Sequence, residues 1–325
     1  MNKKLVFMFS GQGSQWFRMG EELYRCHSVF RRQMQALDRV VVDKLGASVI
    51  ETIYGATGKF ERPFDQIRLT HPALFMVQYS LAKCLMEEDV RPSYVLGASL
   101  GEWVAIAVAG MLPVELALEL VIKKAVLFEQ QCPRGGMLAV LSSPDIFHRH
   151  RDWFSGCEFA GSSYPHHFCV SGDTASIDGA ERSMRLHEIS CTKLPLNQPF
   201  HSSLVEPLHD GFLRLLDDVA FSAGAAALVS SASACVMNRV SKQHFWDVIR
   251  KPIDFYRTVR NLSADSKLIY VDLGPSGTLA NFVKYGLPAE RYGALFRIMT
   301  PAGRDLVNYA RVNNALKETV FLQRA

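Results

Sequence analysis

The chain has no C-x-x-C pair, and its seven cysteines, at positions 26, 84, 132, 157, 169, 191 and 235 of 325 residues, are scattered and odd in number. Such spacing argues against a disulfide framework and against a zinc site, and fits a reducing cytoplasm. Long hydrophobic runs are missing too: the longest, 104–112, stops at Pro113 and Glu115, far short of the roughly 20 residues that cross a bilayer. Charge of one sign is scarce, since 36 basic residues against 32 acidic ones leave a formal +4, and no Lys/Arg block is interleaved with aromatics. Nucleic acid and membrane are therefore not expected as partners, whereas an acidic protein surface suits the balance. Repeats and low-complexity segments are absent. Lys3 and Lys4 ahead of the apolar 5–9 imitate a secretory leader, but the run is short and lacks a small-residue cleavage pattern, so it reads as a first buried strand.

What is present is core: 48% of the residues are apolar, enough for one large domain or a large domain with an inserted small one. The first third alternates a strand at 5–9, several helical stretches, a strand at 94–96 and a helix from 100, an α/β order with a parallel sheet. Leu74, Val77, Leu81 and Leu85 mark a helix over 72–87 with Pro72 in its first turn, and a second helix is expected over 114–130. Pro133-Arg134-Gly135-Gly136 then breaks the chain. The units beyond it are shorter: strands at 137–141, 157–160, 167–171 and 191–194 and helices at 144–154 and 175–187, the β-α-β-β-α-β order of a ferredoxin-like subdomain. After Pro195, helices at 203–217, 244–250 and 255–261, a strand at 267–272 and a terminal helix return to the first unit. The expected division is a large α/β-hydrolase-like domain with a parallel sheet, 1–134 and 195–325, and an inserted ferredoxin-like subdomain, 135–194.

Chemistry enters at Gly97-Ala98-Ser99-Leu100-Gly101, which follows the apolar Tyr94-Val95-Leu96 and opens a helix. Glycines two residues either side of a serine let the chain turn sharply and lift the hydroxyl clear of the sheet edge, as in a nucleophile elbow. Strand one ends in Ser10-Gly11-Gln12-Gly13-Ser14-Gln15, and a histidine lies in Gln198-Pro199-Phe200-His201-Ser202. The dinucleotide pattern G-x-G-x-x-G is not met, because Trp16 takes the third glycine position. Together with Thr70-His71-Pro72-Ala73-Leu74-Phe75, Val170-Ser171-Gly172-Asp173 and Asp272-Leu273-Gly274-Pro275-Ser276-Gly277-Thr278-Leu279, these segments make the chain resemble the malonyl-CoA:acyl carrier protein transacylase family, including the acyltransferases of polyketide synthases. The likeness spans at least residues 4–285.

The resemblance implies that Ser99 is a nucleophile and His201 the base that takes its proton, a pairing that a weakly acidic hydroxyl needs near neutral pH. It also implies an oxyanion hole from the backbone N–H groups of Gln12 and Leu100. In the family a backbone carbonyl from the segment here reading Lys251-Pro252-Ile253-Asp254-Phe255 orients the histidine, and Asp254 falls at that position. Its carboxylate either contacts the imidazole directly or caps a helix.

The chain departs from the family around the acyl pocket. Lys124 stands where malonyl transferases carry an arginine for the free carboxylate, and an ammonium does not replace a planar guanidinium. Lys124 either meets the acyl group or turns outward. Ala98 replaces a histidine, His71 a glutamine, and Gly161-Ser162-Ser163-Tyr164-Pro165 an Asn-containing loop, so Lys124, His71, Ala98, Ser163 and Phe200 form the expected acyl pocket. Members of the family with such altered pockets include stand-alone enzymes of polyketide assembly lines that move unusual acyl groups between carrier proteins or hydrolyse stalled acyl chains from them.

The expected function is therefore serine acyl transfer with a cargo other than plain malonyl. An acyl-carrier-protein hydrolase is the alternative, and an inactive docking module is a third reading that Ser99 and His201 oppose. The partners are an acyl carrier protein and acyl-CoA or acyl-carrier-protein substrates. No bound cofactor or metal is expected; the phosphopantetheine thioester is substrate. His148, His150, His166 and His167 read as solvated loop residues and Trp103 as core, while Lys193, Arg182 and Arg185 are candidates to meet an acidic carrier.

Overall fold

In the computed structural model, which describes residues 4–55, 63–264 and 267–321, the apolar run at the start forms strand β1 (Leu5–Phe9), buried along its whole length. Helices α1 (Glu21–Cys26), α2 (Ser28–Leu45), α3 (Val49–Tyr54) and α4 (Ile67–Glu87) follow, then β2 (Tyr94–Gly97), α5 (Leu100–Val108) and α6 (Val114–Gln131). The middle of the chain supplies β3 (Gly135–Val140), α7 (Asp145–Arg149), β4 (Glu158–Tyr164), β5 (His167–Asp173), α8 (Thr174–Leu186) and β6 (Cys191–Lys193). The remainder adds α9 (His209–Arg214), β7 (Ala227–Ser230), β8 (Cys235–Met237), α10 (Lys242–Arg250), β9 (Ile253–Asp254) and α11 (Phe255–Leu262). It ends with β10 (Leu268–Asp272), α12 (Thr278–Gly286), β11 (Tyr292–Arg297) and α13 (Asp305–Phe321).

Two sheets organise these elements. The first is six-stranded in the order β11-β10-β1-β2-β7-β8, parallel from β11 to β7 with β8 antiparallel at its edge. Its inner strands β1 and β10 are buried along their whole length because helices cover both faces, and both are apolar but for Asp272 at the end of β10. In α2 the buried stripe Phe30, Met34, Leu37 and Val41 repeats at helical spacing, and α4, packed on α2, α5 and α6, is buried almost all round. The second sheet runs β6-β3-β5-β4-β9. Helix α8, capped by Asp173, which accepts from the Ser176 N–H at 2.8 Å, lays Ile177, Ala180 and Met184 on it.

Strand β9 comes from outside 135–194 yet pairs in parallel with β4, Gly161 opposite Ile253 and Ser162 opposite Asp254. The segment after α10 is thereby stitched to the second sheet, which matters for the histidine below. Other departures have local causes. Helix α4 starts at Ile67, so Pro72 is an interior residue and not in the first turn; the hydrogen bond it cannot donate would have gone to the carbonyl of Arg68, an exposed residue. The helix expected over 203–217 divides into a 3₁₀ turn, Ser203–Leu208, and α9, with Pro207 inside the turn. Strands β7, β8 and β11 and helix α12 are additions to the elements read from sequence.

Candidate active site

Ser99 sits between β2 and α5, at the carboxyl ends of central parallel strands, where open α/β sheets present their ligands. Its backbone is strained, with φ 52° and ψ −118°. The surrounding hydrogen bonds hold it there: Ala98 N–H donates to Phe9 O at 3.0 Å, Gly101 N–H to Ala98 O at 2.9 Å and Glu102 N–H to Ser99 O at 2.9 Å. Both flanking glycines are required by close approach. A Cβ on Gly101 would fall on the Phe9 carbonyl, and one on Gly97 on the backbone of Glu102.

His201 comes from a loop far along the chain and also has positive φ, 63°. Its N–H donates to Ile249 O at 3.0 Å, its Nδ1 lies 2.8 Å from Lys251 O, and its Nε2 lies 2.9 Å from Ser99 Oγ. A carbonyl oxygen can only accept, so the proton belongs on Nδ1 and the Nε2 lone pair faces the serine hydroxyl. Burial pushes the imidazole down to about 4, against the raising effect of the Lys251 carbonyl, with Lys124 and Arg250 lowering it further. The ring is therefore neutral near pH 7.

Asp254 does not touch this imidazole. Its carboxylate caps α11, accepting from Arg257 N–H at 3.0 Å, and takes a 3.4 Å bond from Ser162 Oγ. The pairing of β9 with β4 turns it toward the second sheet, and the orienting acceptor is the carbonyl of Lys251.

The loop after β1 meets the elbow from the other side. The side chain of Gln12 is held at both ends, its Nε2 donating to Pro195 O at 3.1 Å and its Oε1 accepting from Thr70 Oγ1 at 3.0 Å. Gln78 on α4 clasps Ser10, accepting its N–H at 2.7 Å and donating to its carbonyl at 3.0 Å. The loop is thus fixed while the Gln12 and Leu100 amides donate to no described backbone acceptor.

Ser99 opens on two cavities. The larger, about 280 Å³, lies between the sheets and is lined by Ala98, Ser163, Phe200 and His201 with mainly apolar neighbours such as Met137, Leu194 and Phe282. The smaller, about 20 Å³, is lined by Gln12, His71, Ser99, Leu100, Trp103, Lys124 and Phe200. Phe200, stacked on Phe128 with ring centroids 5.2 Å apart, borders both. Lys124 turns inward: it is 3% exposed, its Nζ lies 5.2 Å from the centre of the Trp103 ring, and burial lowers it to about 7. His71 is held well below its ordinary value by burial and then by Lys124, and among the described residues neither its Nδ1 nor Trp103 Nε1 has a hydrogen-bond partner. The expected pocket residues therefore divide, Ala98 and Ser163 on the large cavity, His71 and Lys124 on the small one.

His167 differs from the expected solvated loop residue. It opens β5, lines the large cavity and is lowered to about 4 by burial. Trp103 packs on Phe245 and Phe212 as core, but it also lines the small cavity. Lys193 is engaged by Asp178 and Glu181, and Arg185 by Glu181. The resemblance placed an orienting backbone carbonyl within 251–255 without saying which residue carries it, and it is that of Lys251; sequence reasoning missed Glu102, a fully buried carboxyl two residues after Leu100.

The model of the acyl transferase domain family matches residues 6–321. The chain is 37% identical over 308 residues to the polyketide biosynthesis acyltransferase homolog PksD of Bacillus subtilis, covering 95% of each chain. It is 36% identical to the homolog BaeD of Bacillus velezensis, covering 97% of this chain and 98% of that one. Among solved structures, the acyltransferase domain from the second module of the salinomycin polyketide synthase superposes with a TM-score of 0.84 at 26% identity, over 96% of this chain and 72% of that one.

Proposed function

The chain belongs to the acyl transferase domain family and is an acyltransferase, and from that premise we propose that it moves an acyl group from a thioester of coenzyme A or an acyl carrier protein to a carrier-protein phosphopantetheine thiol, through an ester on Ser99, in polyketide biosynthesis. The observation that carries this reading is the 2.9 Å contact of Ser99 Oγ with an imidazole whose other nitrogen is committed to Lys251 O.

In the first half, Ser99 Oγ attacks the thioester carbonyl carbon and its proton passes to His201 Nε2. The carbonyl oxygen, now an oxyanion, takes hydrogen bonds from the Gln12 and Leu100 amides, each worth about 2.7–4 kcal/mol in such sites. The C–S bond breaks, and the departing sulfur receives the proton from Nε2. In the second half the acceptor thiol gives its proton to Nε2, attacks the ester, and Ser99 regains its hydrogen as the thioester forms. The two-sheet arrangement supports the reading of a hydrolase-like large unit, 1–134 and 195–325, carrying a ferredoxin-like insertion, 135–194, with the substrate arm entering between them.

The cargo in this reading is not plain malonyl. The small cavity beside Ser99 has room for about one water-sized group, and its cation is a single ammonium that burial inclines to neutrality. A carboxylate favours the two parallel donors of a guanidinium and more space than this. Mass spectrometry of Ser99 after exposure to a panel of acyl-CoA and acyl-carrier-protein donors tests the proposal. Ester formation with uncharged acyl groups and transfer to a second carrier protein are expected. Rapid, stable malonylation would overturn the selectivity, and free acid released at the same rate with and without an acceptor would replace transfer by hydrolysis.

A further inference from the structure

We propose that Glu102 is a positioning residue that sets the register between Ser99 and His201, because one carboxyl group ties the helix that begins at the serine to both ends of the segment whose carbonyls hold the histidine. The inference rests on the reading of Ser99 and His201 as the reacting pair.

Glu102 lies in the first turn of α5 and is fully buried. Its Oε1 accepts from Ser231 N–H at 2.8 Å, Ser231 Oγ at 3.0 Å, Ser230 Oγ at 3.1 Å and Ala232 N–H at 3.1 Å, at the end of β7 and in the loop leaving it. Its Oε2 lies 3.1 Å from His244 Nε2 on α10. That contact is close without the alignment of a hydrogen bond, and among the described residues neither atom has a hydrogen-bond partner. Helix α10 runs on to Ile249 and Lys251, the two residues whose carbonyls hold His201. Beyond them, Asp254 N–H donates to Ser231 O at 2.9 Å. The Lys251 carbonyl is thus spanned by His244 on one side and by Asp254, through Ser231, on the other, and both ties lead to Glu102.

Apolar side chains replacing the whole network could fill this interior at little cost in stability, whereas an apolar residue at 102 alone strands the Ser231 N–H donor. What such a filler lacks is direction. Hydrogen bonds fix the distance from α5 through Ser231 to Asp254, the 3.1 Å contact of Glu102 with His244 adds a second tie to α10, and a displacement of about 1 Å between reacting groups costs about 100-fold in rate.

The test measures three things in the full-length protein and in Glu102→Ala, Glu102→Gln, His244→Gln and Ser231→Ala: kcat and KM for acyl transfer, the rate at which a fluorophosphonate modifies Ser99, and the Nδ1–H proton resonance of His201. Glu102→Ala is expected to lower kcat and the fluorophosphonate rate about 10- to 100-fold, to leave KM within about twofold, and to move the resonance. Glu102→Gln, whose amide oxygen still accepts at Oε1, recovers most of the loss. If Glu102→Ala does not fold, His244→Gln and Ser231→Ala, each removing one tie, show smaller losses of the same kind. Unchanged kcat, fluorophosphonate rate and resonance in the folded variants would overturn the proposal, as would a loss confined to KM. The fluorophosphonate needs no natural donor and the resonance no reaction, so failure of the acyl-transfer reading leaves both readouts standing.

Discussion

Ser99 and His201 both hold positive φ, 52° and 63°, and their side chains meet at 2.9 Å. Two non-glycine residues in sparsely populated backbone, from distant parts of the chain, are aimed at each other, and each conformation costs about 1–3 kcal/mol unless the fold over-determines it.

Replacing the serine therefore separates strain from chemistry. Ser99→Ala and Ser99→Gly both abolish covalent labelling at this position, but only glycine relaxes the backbone. Ser99→Gly is expected to exceed Ser99→Ala in stability by about 1 kcal/mol. Denaturant midpoints of the two variants check this, and a glycine variant less stable than the alanine one would contradict the strain argument.

The buried, neutral imidazole sets the pH response. His201 at about 4 is able to accept the serine proton down to well below its ordinary 6.5, so single-turnover acylation should hold level through pH 6 and lose its acid limb near 4. An acid limb centred on 6.5 would show a solvated base instead. The stability effect has a definite sign. Between pH 6.5 and 4 the unfolded chain binds a proton that the folded one refuses, so the folded state loses stability as pH falls through that window and is unaffected by this residue above it. His201→Gln should flatten that part of the stability profile.

The elbow was legible because its demands fall on side chains: two glycines at close approach, a serine between them, an apolar strand before and a helix after. The orienting acceptor was legible only as far as the segment 251–255, because a carbonyl has no residue type and Asp254 lay in the same segment. Pro72 misled the start of α4 because propensity rules treat proline as a boundary, whereas here it sits inside the helix, with the exposed Arg68 four residues before it. Strand β11 has no fully buried residue, so no apolar run marked it. The partition of the acyl pocket depends on the inward turn of Lys124, which composition and spacing left open.

Asp254 offers a direct check of the corrected geometry. Asp254→Ala removes a helix cap and should cost about 1 kcal/mol of stability, while kcat stays within about threefold because Lys251 O still holds Nδ1. A loss of kcat on the scale of 10²–10⁴, typical of a missing base partner, would restore the carboxylate to the role that the sequence suggested for it.

Lys124 opposes folding and, in the proposed reading, constrains the cargo, and one substitution reads both. Its amine is 3% exposed and lowered to about 7 by burial, so between pH 7 and 10.5 the unfolded chain binds a proton that the folded state does not, and stability climbs with pH across that interval. Lys124→Met keeps the length of the side chain and removes the charge. It should raise the melting temperature at pH 7, at about 2–4 °C per kcal/mol relieved, and flatten the climb above it. If the small cavity holds the end of the acyl group, the same variant should shift the donor preference further toward apolar groups, by about 10- to 100-fold for a polar terminus that loses the Lys124 amine. Calorimetry across pH and competition between paired donors at Ser99 measure the two effects. A gain in stability with donor preference unchanged would mean that the substrate does not reach the small cavity and binds in the 280 Å³ cavity alone.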